Sequence, residues 1–417
     1  MPDITREYKD IIAKGSCSGC RGNSLLTFLD LGEIPLAGGF PLADTSPENF
    51  KYPLSLVVCE NCFLVQVKED IDPAVLFDDY RYLSSVHLGD HFKEFANTVV
   101  NWLDVKSDDF IVEIGCNDGV LINYLNLSHF TNLLGVDPAK NVTSRVLQQI
   151  PIMNVYFDLD VAKSIITNRG HAQLVIANNV FAHLNDLYTF LDGIVYLLDL
   201  DGTFVFEVHY LGDLIEGFQF DTIYHEHRYH YSVTSLVNTL SRFGLSIIRI
   251  DRINNHGGSI RVFAKKGNIG SFTFNEILEF EENLGIRDLN TYIAFGIAAK
   301  NKIQEIDQFI SNIPKDHKIG AYGAAGRAVT LLNCLTTSSS RIEYVVDDSP
   351  ERIGRYIPGV LIPIVSRDML ASAPVDEVII TAWTFQTSIV QRIVDAVPES
   401  IPKIITPLPV PQYVLQR

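Results

Sequence analysis

The densest group of proton-carrying side chains in this sequence lies between Tyr224 and Tyr231. Three histidines, three tyrosines and one glutamate occur within these eight residues. Histidine and glutamate can exchange protons near neutral pH, and a tyrosine hydroxyl can donate to a developing oxyanion. The segment therefore suggests acid–base chemistry beside a carbonyl group. Two alternatives remain open, a solvated polar loop and a metal site, although Tyr229 stands where an HExxH motif needs its second histidine.

A strand-to-helix turn carries the second candidate site. Glu113, Gly115 and Gly119 lie on this turn, and Asp137 ends the next predicted strand about twenty residues later. The glycines let a ligand approach the backbone, and an acid in the position of Asp137 can bind both hydroxyls of a ribose. Asp118 would repel a pyrophosphate, so a cationic or neutral nucleoside is favoured. The turn resembles the donor loop of class I S-adenosylmethionine-dependent methyltransferases, and a tight turn without a ligand is the alternative.

Other polar side chains are predicted to reach the same crevice, because they follow the carboxyl ends of parallel strands, where such sheets bind ligands. These further candidate donor-site residues are Asn117, Asp158, Asn178 and Asn179. His183 comes shortly after the same strand as Asn178 and Asn179, so we expect it to face the crevice. A structural and a functional role for His183 both remain open.

Four of the six cysteines form two CxxC pairs near the start of the chain, with 38 residues between the pairs. Four thiolates are the closed tetrahedral set that zinc prefers in structural sites, and a filled set leaves no position for catalysis. The predicted zinc ligands are Cys17, Cys20, Cys59 and Cys62. Four unrelated thiols are the alternative, whereas a redox role is disfavoured because neither pair precedes a clear helix of a βαβ unit.

Composition narrows the class of partner. The chain has 417 residues with 33 Lys+Arg and 50 Asp+Glu, which gives a formal net charge of −17. Such an acidic chain repels phosphate backbones, so nucleic acid is a poor candidate, while a local site can still bind an anionic small ligand. The sequence contains no run of about 18 consecutive apolar residues, so no membrane-spanning helix is predicted. The charged segment Met1–Glu7 does not resemble a signal peptide. We therefore expect a cytoplasmic protein without a membrane partner.

The elements that position these residues predict an α/β protein of three domains. Residues 1–75 are rich in turns and short strands and predict a small β-rich zinc-binding module, which needs a metal because its core is small. Residues 76–270 alternate strands and helices, as in a class I, Rossmann-like methyltransferase domain. A long helix is predicted from about 277 to 313, and residues 271–417 repeat the βα pattern as a second Rossmann-like domain.

Several motifs, taken together and in this order, resemble the three-domain sugar C-methyltransferases. Enzymes of that family act on nucleotide-linked 4-keto-deoxysugars, in branched-sugar pathways such as those to tetronitrose and mycarose. The resemblance covers essentially the whole chain. The motifs are the two cysteine pairs and the segments 79–85, 113–119, 179–183, 224–227, 256–261, 322–325, 347–350 and 358–363.

The resemblance implies methylation of carbon 3 of the sugar by S-adenosylmethionine. His227 would remove the proton from carbon 3, beside the carbon-4 ketone, and the enolate would attack the sulfonium methyl group. Tyr224 and Glu226 would position the sugar and support the proton transfer. His183 would hold or polarise the ketone oxygen. Stabilising the oxyanion makes such a proton removable, and holding donor and acceptor in line lowers the barrier further.

The resemblance also implies contacts to the substrate. Tyr80 or Tyr82 would cover the reacting sugar or the methyl donor. The remaining candidate substrate-binding residues are His225, His256, Arg261, Tyr322 and Arg327. The ligand would be a nucleotide diphosphate 4-keto-deoxysugar, bound by a protein that we expect to be a monomer.

One departure from the family affects the C-terminal turn. Family members often carry Lys-Gly-Asn where this chain has Arg327, Ala328 and Val329. An arginine can still bind a phosphate, in bidentate fashion, but the nucleotide base stays open between dTDP and GDP. The turn without a ligand is the structural alternative. Two other functions also remain: O- or N-methylation of a nucleotide sugar, and a non-catalytic protein that binds a nucleotide sugar or zinc.

Overall fold

The computed structural model describes residues 12–42, 50–72, 75–76, 82–84, 88–267 and 274–416. Its first part consists of short strands joined by turns, as the turn-rich sequence predicts. Two CxxC knuckles interrupt the strands, one before the second strand and one after the third. The strands are β1 (Ile12–Ala13), β2 (Leu25–Pro35), β3 (Lys51–Cys59), β4 (Val65–Val67) and β5 (Glu69–Asp70).

The middle of the chain alternates strands with helices. Its strands are β6 (Ile111–Ile114), β7 (Leu133–Val136), β8 (Ile152–Met153), β9 (Ala172–Asn178), β10 (Leu198–His209), β11 (Tyr229–His230), β12 (Leu245–Ile253) and β13 (Ser259–Lys266). The helices are α1 (Gly89–Leu103), α2 (Val120–Leu127), α3 (Lys140–Thr143), α4 (Leu159–Arg169), α5 (Leu187–Leu197), α6 (Leu211–Glu216) and α7 (Val233–Leu240).

Seven of these strands form one sheet in the order β12-β13-β10-β9-β6-β7-β8. Strands β6 to β10 are parallel, and β12 and β13 close one edge as an antiparallel pair. Every residue of β6 and β7 is buried, because a parallel sheet is covered by helices on both faces. The carboxyl ends of β6, β7 and β9 therefore meet at one edge, where the donor-site candidates follow them.

The last part of the chain is a second α/β unit. Its strands are β14 (Ile319–Tyr322), β15 (Ile342–Val346), β16 (Ile364–Val365), β17 (Glu377–Ile380), β18 (Lys403–Thr406) and β19 (Gln412–Leu415). Its helices are α8 (Asn275–Leu284), α9 (Leu289–Ser311), α10 (Gly326–Cys334), α11 (Met369–Ser372) and α12 (Gln386–Ala396). The six strands form a sheet in the order β16-β15-β14-β17-β18-β19, parallel except for its last strand.

The single long helix predicted from about 277 to 313 is wrong. Gly285 ends α8 in the left-handed conformation, with φ of 77°, and Asp288 caps the start of α9 by accepting a hydrogen bond from the Asn290 amide. Glycine adopts this conformation without strain, so it stops one helix, and the aspartate starts the next. The predicted boundary between residues 270 and 271 lies outside the described residues and stays a prediction.

The cysteine module packs against both other parts of the chain. Strand β11, from the middle of the chain, extends its antiparallel sheet in the order β11-β4-β3-β2. On the other side α9 crosses β2 so closely that a Cβ added to Gly296 would lie 1.9 Å from the Phe28 carbonyl oxygen. The histidine-rich segment is thereby anchored to the module by main-chain pairing. Among the described residues no helix is long and apolar enough to cross a bilayer.

Candidate functional site

A cleft of about 1130 Å³ runs from the strand ends of the central sheet to the first turn of the C-terminal sheet. Most of the candidate site residues line it. These are Tyr82, Glu113, Gly115, Asn117, Asp137, Asp158, Asn178, Asn179, His183, Tyr224, Glu226, His227, His256, Tyr322 and Arg327. The fold therefore brings together residues that lie up to 245 positions apart in the sequence (82 to 327).

Four candidates do not line this cleft or cannot be placed in it. His225 donates its Nε2 proton to the Pro53 carbonyl oxygen, 3.0 Å away, on the side of the cysteine module. Arg261 is 1% exposed and pairs with Glu207 at 2.7 Å and with Glu94 at 2.9 Å. Gly119 precedes α2 and packs near Val146, and Tyr80 lies outside the described residues. The side chains of His225 and Arg261 are committed to structural contacts.

The turn after β6 needs glycine at its first position. Gly115 has φ of +70°, and a Cβ added there would lie 2.2 Å from Val180 Cγ2. The turn is closed by the acid that ends the next strand. Asp137 accepts hydrogen bonds from the Asn117 amide at 2.9 Å and from the Ala139 amide at 2.8 Å. The local sequence therefore builds a bare backbone surface with a carboxylate held beside it.

The polar groups of this pocket match a cationic nucleoside. Burial, followed by the charges of Asp137 and Asp118, raises the pKa of Glu113 well above its ordinary value, and burial also raises the pKa of Asp137. Glu113 Oε2 and both polar side-chain atoms of Asn178 are buried and have no hydrogen-bond partner among the described residues. Asp158 uses one oxygen to cap α4 through the Val161 amide. Unsatisfied acceptors beside crowded carboxylates favour a positively charged ligand with hydroxyl and amino donors.

His227 lines the cleft and is buried, at 4% exposed. Its Nδ1 lies 2.8 Å from the Thr222 carbonyl oxygen, which can only accept, so Nδ1 carries the proton. Burial holds the pKa of His227 well below its ordinary value of 6.5, so the ring is neutral and Nε2 presents a lone pair. The Tyr224 hydroxyl donates to that Nε2 at 2.6 Å. His227 can therefore act as a base, and the phenol of Tyr224 is hydrogen-bonded to its basic nitrogen.

Glu226 is held by the loop of the cysteine module. Its Oε1 accepts from the Gly38 amide at 2.9 Å, whereas its buried Oε2 has no partner among the described residues. Burial raises the pKa of Glu226. His183 donates from Nδ1 to the Glu226 carbonyl oxygen at 2.6 Å, and burial lowers the pKa of His183 to about 4. Glu226 is thus a buried carboxyl group with a raised pKa and one oxygen unpartnered among the described residues, next to a neutral imidazole.

On the opposite wall the turn after β14 packs onto Tyr224. A Cβ added to Gly326 would lie 2.9 Å from Tyr224 Cζ. Arg327 donates to Gln219 Oε1 at 2.7 Å and to the His256 carbonyl oxygen at 2.8 Å, and lies 3.7 Å from Asp221. The positively charged guanidinium of Arg327 therefore interacts with residues of the central domain.

Among the cleft residues that the sequence did not single out, three bear on the chemistry. Arg352 and Arg392 line the cleft beside Asp347 and Asp348, and His209 lines it at the end of β10. A signal for His209 was available, because it ends a strand of the same sheet edge as Asn178. No local pattern marks Arg392, which lies 44 positions from its partner Asp348.

The four predicted zinc ligands converge. Their Sγ atoms all lie within 4.8 Å of one another, with separations of 3.5 Å for Cys17–Cys62 and for Cys20–Cys59. The Gly19 and Gly22 amides donate to the Cys17 and Cys20 sulfurs. Four thiolates at this spacing fit a tetrahedral ion with Zn–S bonds of about 2.3 Å. The site has no open ligand position and serves the fold.

Comparisons with known proteins agree with this arrangement. Three family models match in succession, a zinc binding domain over residues 17–77, a methyltransferase domain over 89–250 and a C-methyltransferase C-terminal domain over 254–409. The C-methyltransferase NovU of Streptomyces niveus is 30% identical over 426 residues, which cover 99% of each chain. The chain belongs to the three-domain C-methyltransferase family. The family that the motifs indicate is therefore confirmed, and so is the three-part fold.

Solved methyltransferases overlap with part of this C-methyltransferase. Magnesium protoporphyrin IX methyltransferase from Synechocystis, with bound S-adenosylmethionine, is 16% identical, covers 44% of this chain and 82% of its own, and has a TM-score of 0.32. An S-adenosylmethionine-dependent methyltransferase from Clostridium acetobutylicum is 14% identical, covers 42% and 91%, and has a TM-score of 0.34. Both overlaps involve less than half of this chain.

The family membership and the two sites fix the coarse chemistry. The chain is an S-adenosylmethionine-dependent C-methyltransferase with a structural zinc ion on its four clustered cysteines. Both predicted cofactors are confirmed at this level. When bound, S-adenosylmethionine supplies an electrophilic methyl group on a sulfonium centre.

Proposed function

We propose that this enzyme methylates carbon 3 of a nucleotide diphosphate 4-keto-6-deoxysugar through an enolate. The observation that carries the proposal is the His227–Tyr224 pair, whose 2.6 Å hydrogen bond leaves a neutral imidazole and a phenol in the cleft. The pair lies between an acidic pocket suited to a sulfonium nucleoside and an arginine-lined wall suited to phosphates. O- and N-methylation need no such base beside a carbonyl group.

The donor pocket has the residues that its ligand needs. We assign the ribose hydroxyls to Asp137 and the sulfonium-bearing end to the neighbourhood of Glu113 and Asn178, whose buried polar atoms lack partners among the described residues. The glycine at 115 lets the nucleoside lie against the backbone. Asn117, Asn179 and Asp158 complete this wall of the cleft.

The proton on carbon 3 passes to His227 Nε2. In the free enzyme the Tyr224 hydroxyl donates a hydrogen bond to this nitrogen. When the substrate enters, the hydroxyl donates to the sugar instead. Breaking the C3–H bond leaves its electron pair in the enolate, whose oxygen needs a donor. We assign this donor to Glu226, because burial raises its pKa and its buried Oε2, which has no partner among the described residues, can present a proton to an oxyanion.

The remaining contacts hold the substrate. The His183 Nδ1 proton is already given to the Glu226 carbonyl oxygen, so we expect its Nε2 to accept from a sugar hydroxyl. Tyr82 lies at the cleft between the donor loop and the cysteine module and covers the sugar. We propose that Arg352 and Arg392, beside Tyr322, bind the diphosphate. Arg327 contributes a further positive charge near this site. His225 and Arg261 keep their structural contacts.

The decisive test compares His227→Gln with the wild-type enzyme on dTDP- and GDP-linked 4-keto-6-deoxysugars. Wild-type enzyme should give a product one methyl group heavier, and without the methyl donor it should exchange the carbon-3 hydrogen of the unreacted substrate for solvent deuterium. We expect His227→Gln to lose about 10²- to 10⁴-fold in turnover, as for removal of a general base, while donor affinity measured by calorimetry stays unchanged. His129→Gln, on the exposed surface, is the matched control. Methylation of a substrate that lacks the ketone would contradict the enolate mechanism.

A further inference from the structure

We propose that His209 takes the proton from His227 after each methyl transfer and passes it to His256, at the less buried end of a three-ring path. This role deepens the proposed function and rests on it. His209 acts through His227 and is therefore a positioning residue of the proton path.

The stoichiometry of the reaction creates the need for such a path. A C–H bond is replaced by a C–CH₃ bond, and the cationic sulfonium donor leaves as a neutral thioether. One proton must therefore leave the site in each turnover for charge to balance. The base that first holds it is 4% exposed, and in the proposed complex the two ligands would occupy the cleft that it lines.

The rings next to His227 offer one continuous route outward. The His209 ring centroid lies 4.7 Å from that of His227, and the His256 centroid lies 5.6 Å from that of His209. At these distances a ring rotation or one bridging water brings the nitrogens within hydrogen-bond reach. His256 lies in the β12–β13 loop and is partly exposed, whereas His227 is buried. The path therefore ends closer to solvent than it begins.

The other two neighbouring histidines are less suited to this task. His183 lies 5.1 Å from His227, but its Nδ1 is committed to the Glu226 carbonyl oxygen. His230 lies 6.3 Å away, is 2% exposed and belongs to β11, which is paired with the cysteine module. His209 has no side-chain hydrogen bond within the described part of the chain. Its ring can therefore accept a proton and turn.

The charges around His209 suit a transient carrier rather than a resting cation. Burial, followed by the charges of His256 and Arg327, holds its pKa well below the ordinary value of 6.5. A neutral His209 can accept the proton that His227 gives up, and it does not keep it. The steps balance, because the N–H bond on His227 breaks as one forms on His209, and the proton then moves to His256 and to water.

The test uses His209→Ala and His209→Gln in the full-length enzyme, with His129→Gln as the control. We expect the steady-state turnover number to fall about tenfold or more in both variants, while the first turnover falls less, because only later cycles need the base to be reset. Imidazole in the buffer should restore His209→Ala in proportion to its concentration, since it fits the space of the lost ring and carries protons. It should not restore His209→Gln.

An unchanged turnover number in His209→Gln would overturn the path. An equal loss in the first and in later turnovers, without rescue by imidazole, would also overturn it and assign His209 a packing role. Should His209→Ala lose donor binding in calorimetry, His256→Gln is measured in the same way, and an unchanged turnover number or an equal loss in all turnovers would again overturn the path. Failure of the wild-type enzyme to methylate carbon in any 4-keto sugar would instead contradict the proposed function itself.

Discussion

The donor turn of the central domain and the first turn of the C-terminal domain share one backbone design. In both, a strand leads through a glycine turn into a helix, and the next strand ends in an aspartate. Asp137 accepts from the Asn117 and Ala139 amides, and Asp347 accepts from the Ala324 amide at 2.6 Å and the Ser349 amide at 2.7 Å. The same hydrogen bonds thus fix both turns.

The two regions differ in the charges that surround these aspartates. Carboxyl groups crowd the donor turn, where burial, followed by the charges of Asp137 and Asp118, raises the pKa of Glu113. Three arginines instead surround the second turn. Arg352 pairs with Asp347, and Arg367 and Arg392 pair with Asp348, whose pKa is lowered. One backbone design can therefore serve a cation or an anion, depending on its neighbours.

Among the changes that test this comparison, the largest effect is expected from adding a methyl group to either turn. Gly115→Ala should weaken binding of S-adenosylmethionine about 100-fold, because left-handed backbone and overlap with Val180 together cost about 3 kcal/mol. Gly323→Ala, with φ of +105° and a Cβ 2.5 Å from that of Ala382, should spare donor binding and raise KM for the sugar. Calorimetry and steady-state kinetics measure the two effects, with thermal unfolding as a check of the fold.

An equal loss of donor affinity in Gly115→Ala and Gly323→Ala would contradict the assignment of the two turns to different ligands. Such a result would mean that the two turns act as one site. Tyr224 lies between the histidine base and Gly326, so a change in one turn is expected to alter KM for the sugar at the other. No such coupling is expected in donor affinity.

A smaller effect is expected from the arginine side. Arg392→Gln removes one of the three cations at the second turn and should raise KM for the nucleotide sugar about tenfold, since one charge-assisted contact contributes about 1.5 kcal/mol. Donor affinity should stay unchanged. Arg145→Gln, an exposed arginine paired with Glu351, is the matched control. An unchanged KM in Arg392→Gln would move the diphosphate away from this wall.

The smallest expected effect is a pH dependence confined to the donor turn. The pKa of Glu113 lies well above its ordinary value of 4.5 and that of Asp137 above its ordinary value of 3.8, so both carboxyl groups take up protons at higher pH than usual. The ionised forms attract the sulfonium, so donor affinity should fall several-fold as the pH falls through the raised pKa values of these two groups. KM for the sugar should respond less at the second turn, where the pKa of Asp348 is lowered.

Glu113→Gln provides the control for this pH effect. The variant should bind the donor more weakly at high pH and show a flatter pH profile in calorimetry, because the titrating carboxyl group is gone. A profile as steep as that of the wild-type enzyme would exclude Glu113 as its source. Asp137 would then be the group to replace.

Many of the residues that the sequence singled out line the cleft, and those that do not line it share a common reason. Glu113, Asn178 and His227 each follow a recognisable strand or motif, and all three line the cleft. Arg261 is a cation within a motif that matches the family. It is nevertheless buried and forms ion pairs with Glu207 and Glu94, which come from other elements. Side-chain direction on a strand follows from the register, but the partner that neutralises a charge comes from elsewhere in the fold.

The sequence by itself determined the order of modules, the cysteine knuckles and the two aspartate-closed turns. These features arise from contacts between residues near one another in the chain or between neighbouring strands. Only the tertiary structure decided which turn is acidic and which is lined by arginines, because Arg367 and Arg392 reach Asp348 from 19 and 44 positions away. It also placed His209 beside His227. Electrostatic surroundings are summed over space rather than along the chain, so local patterns cannot encode them.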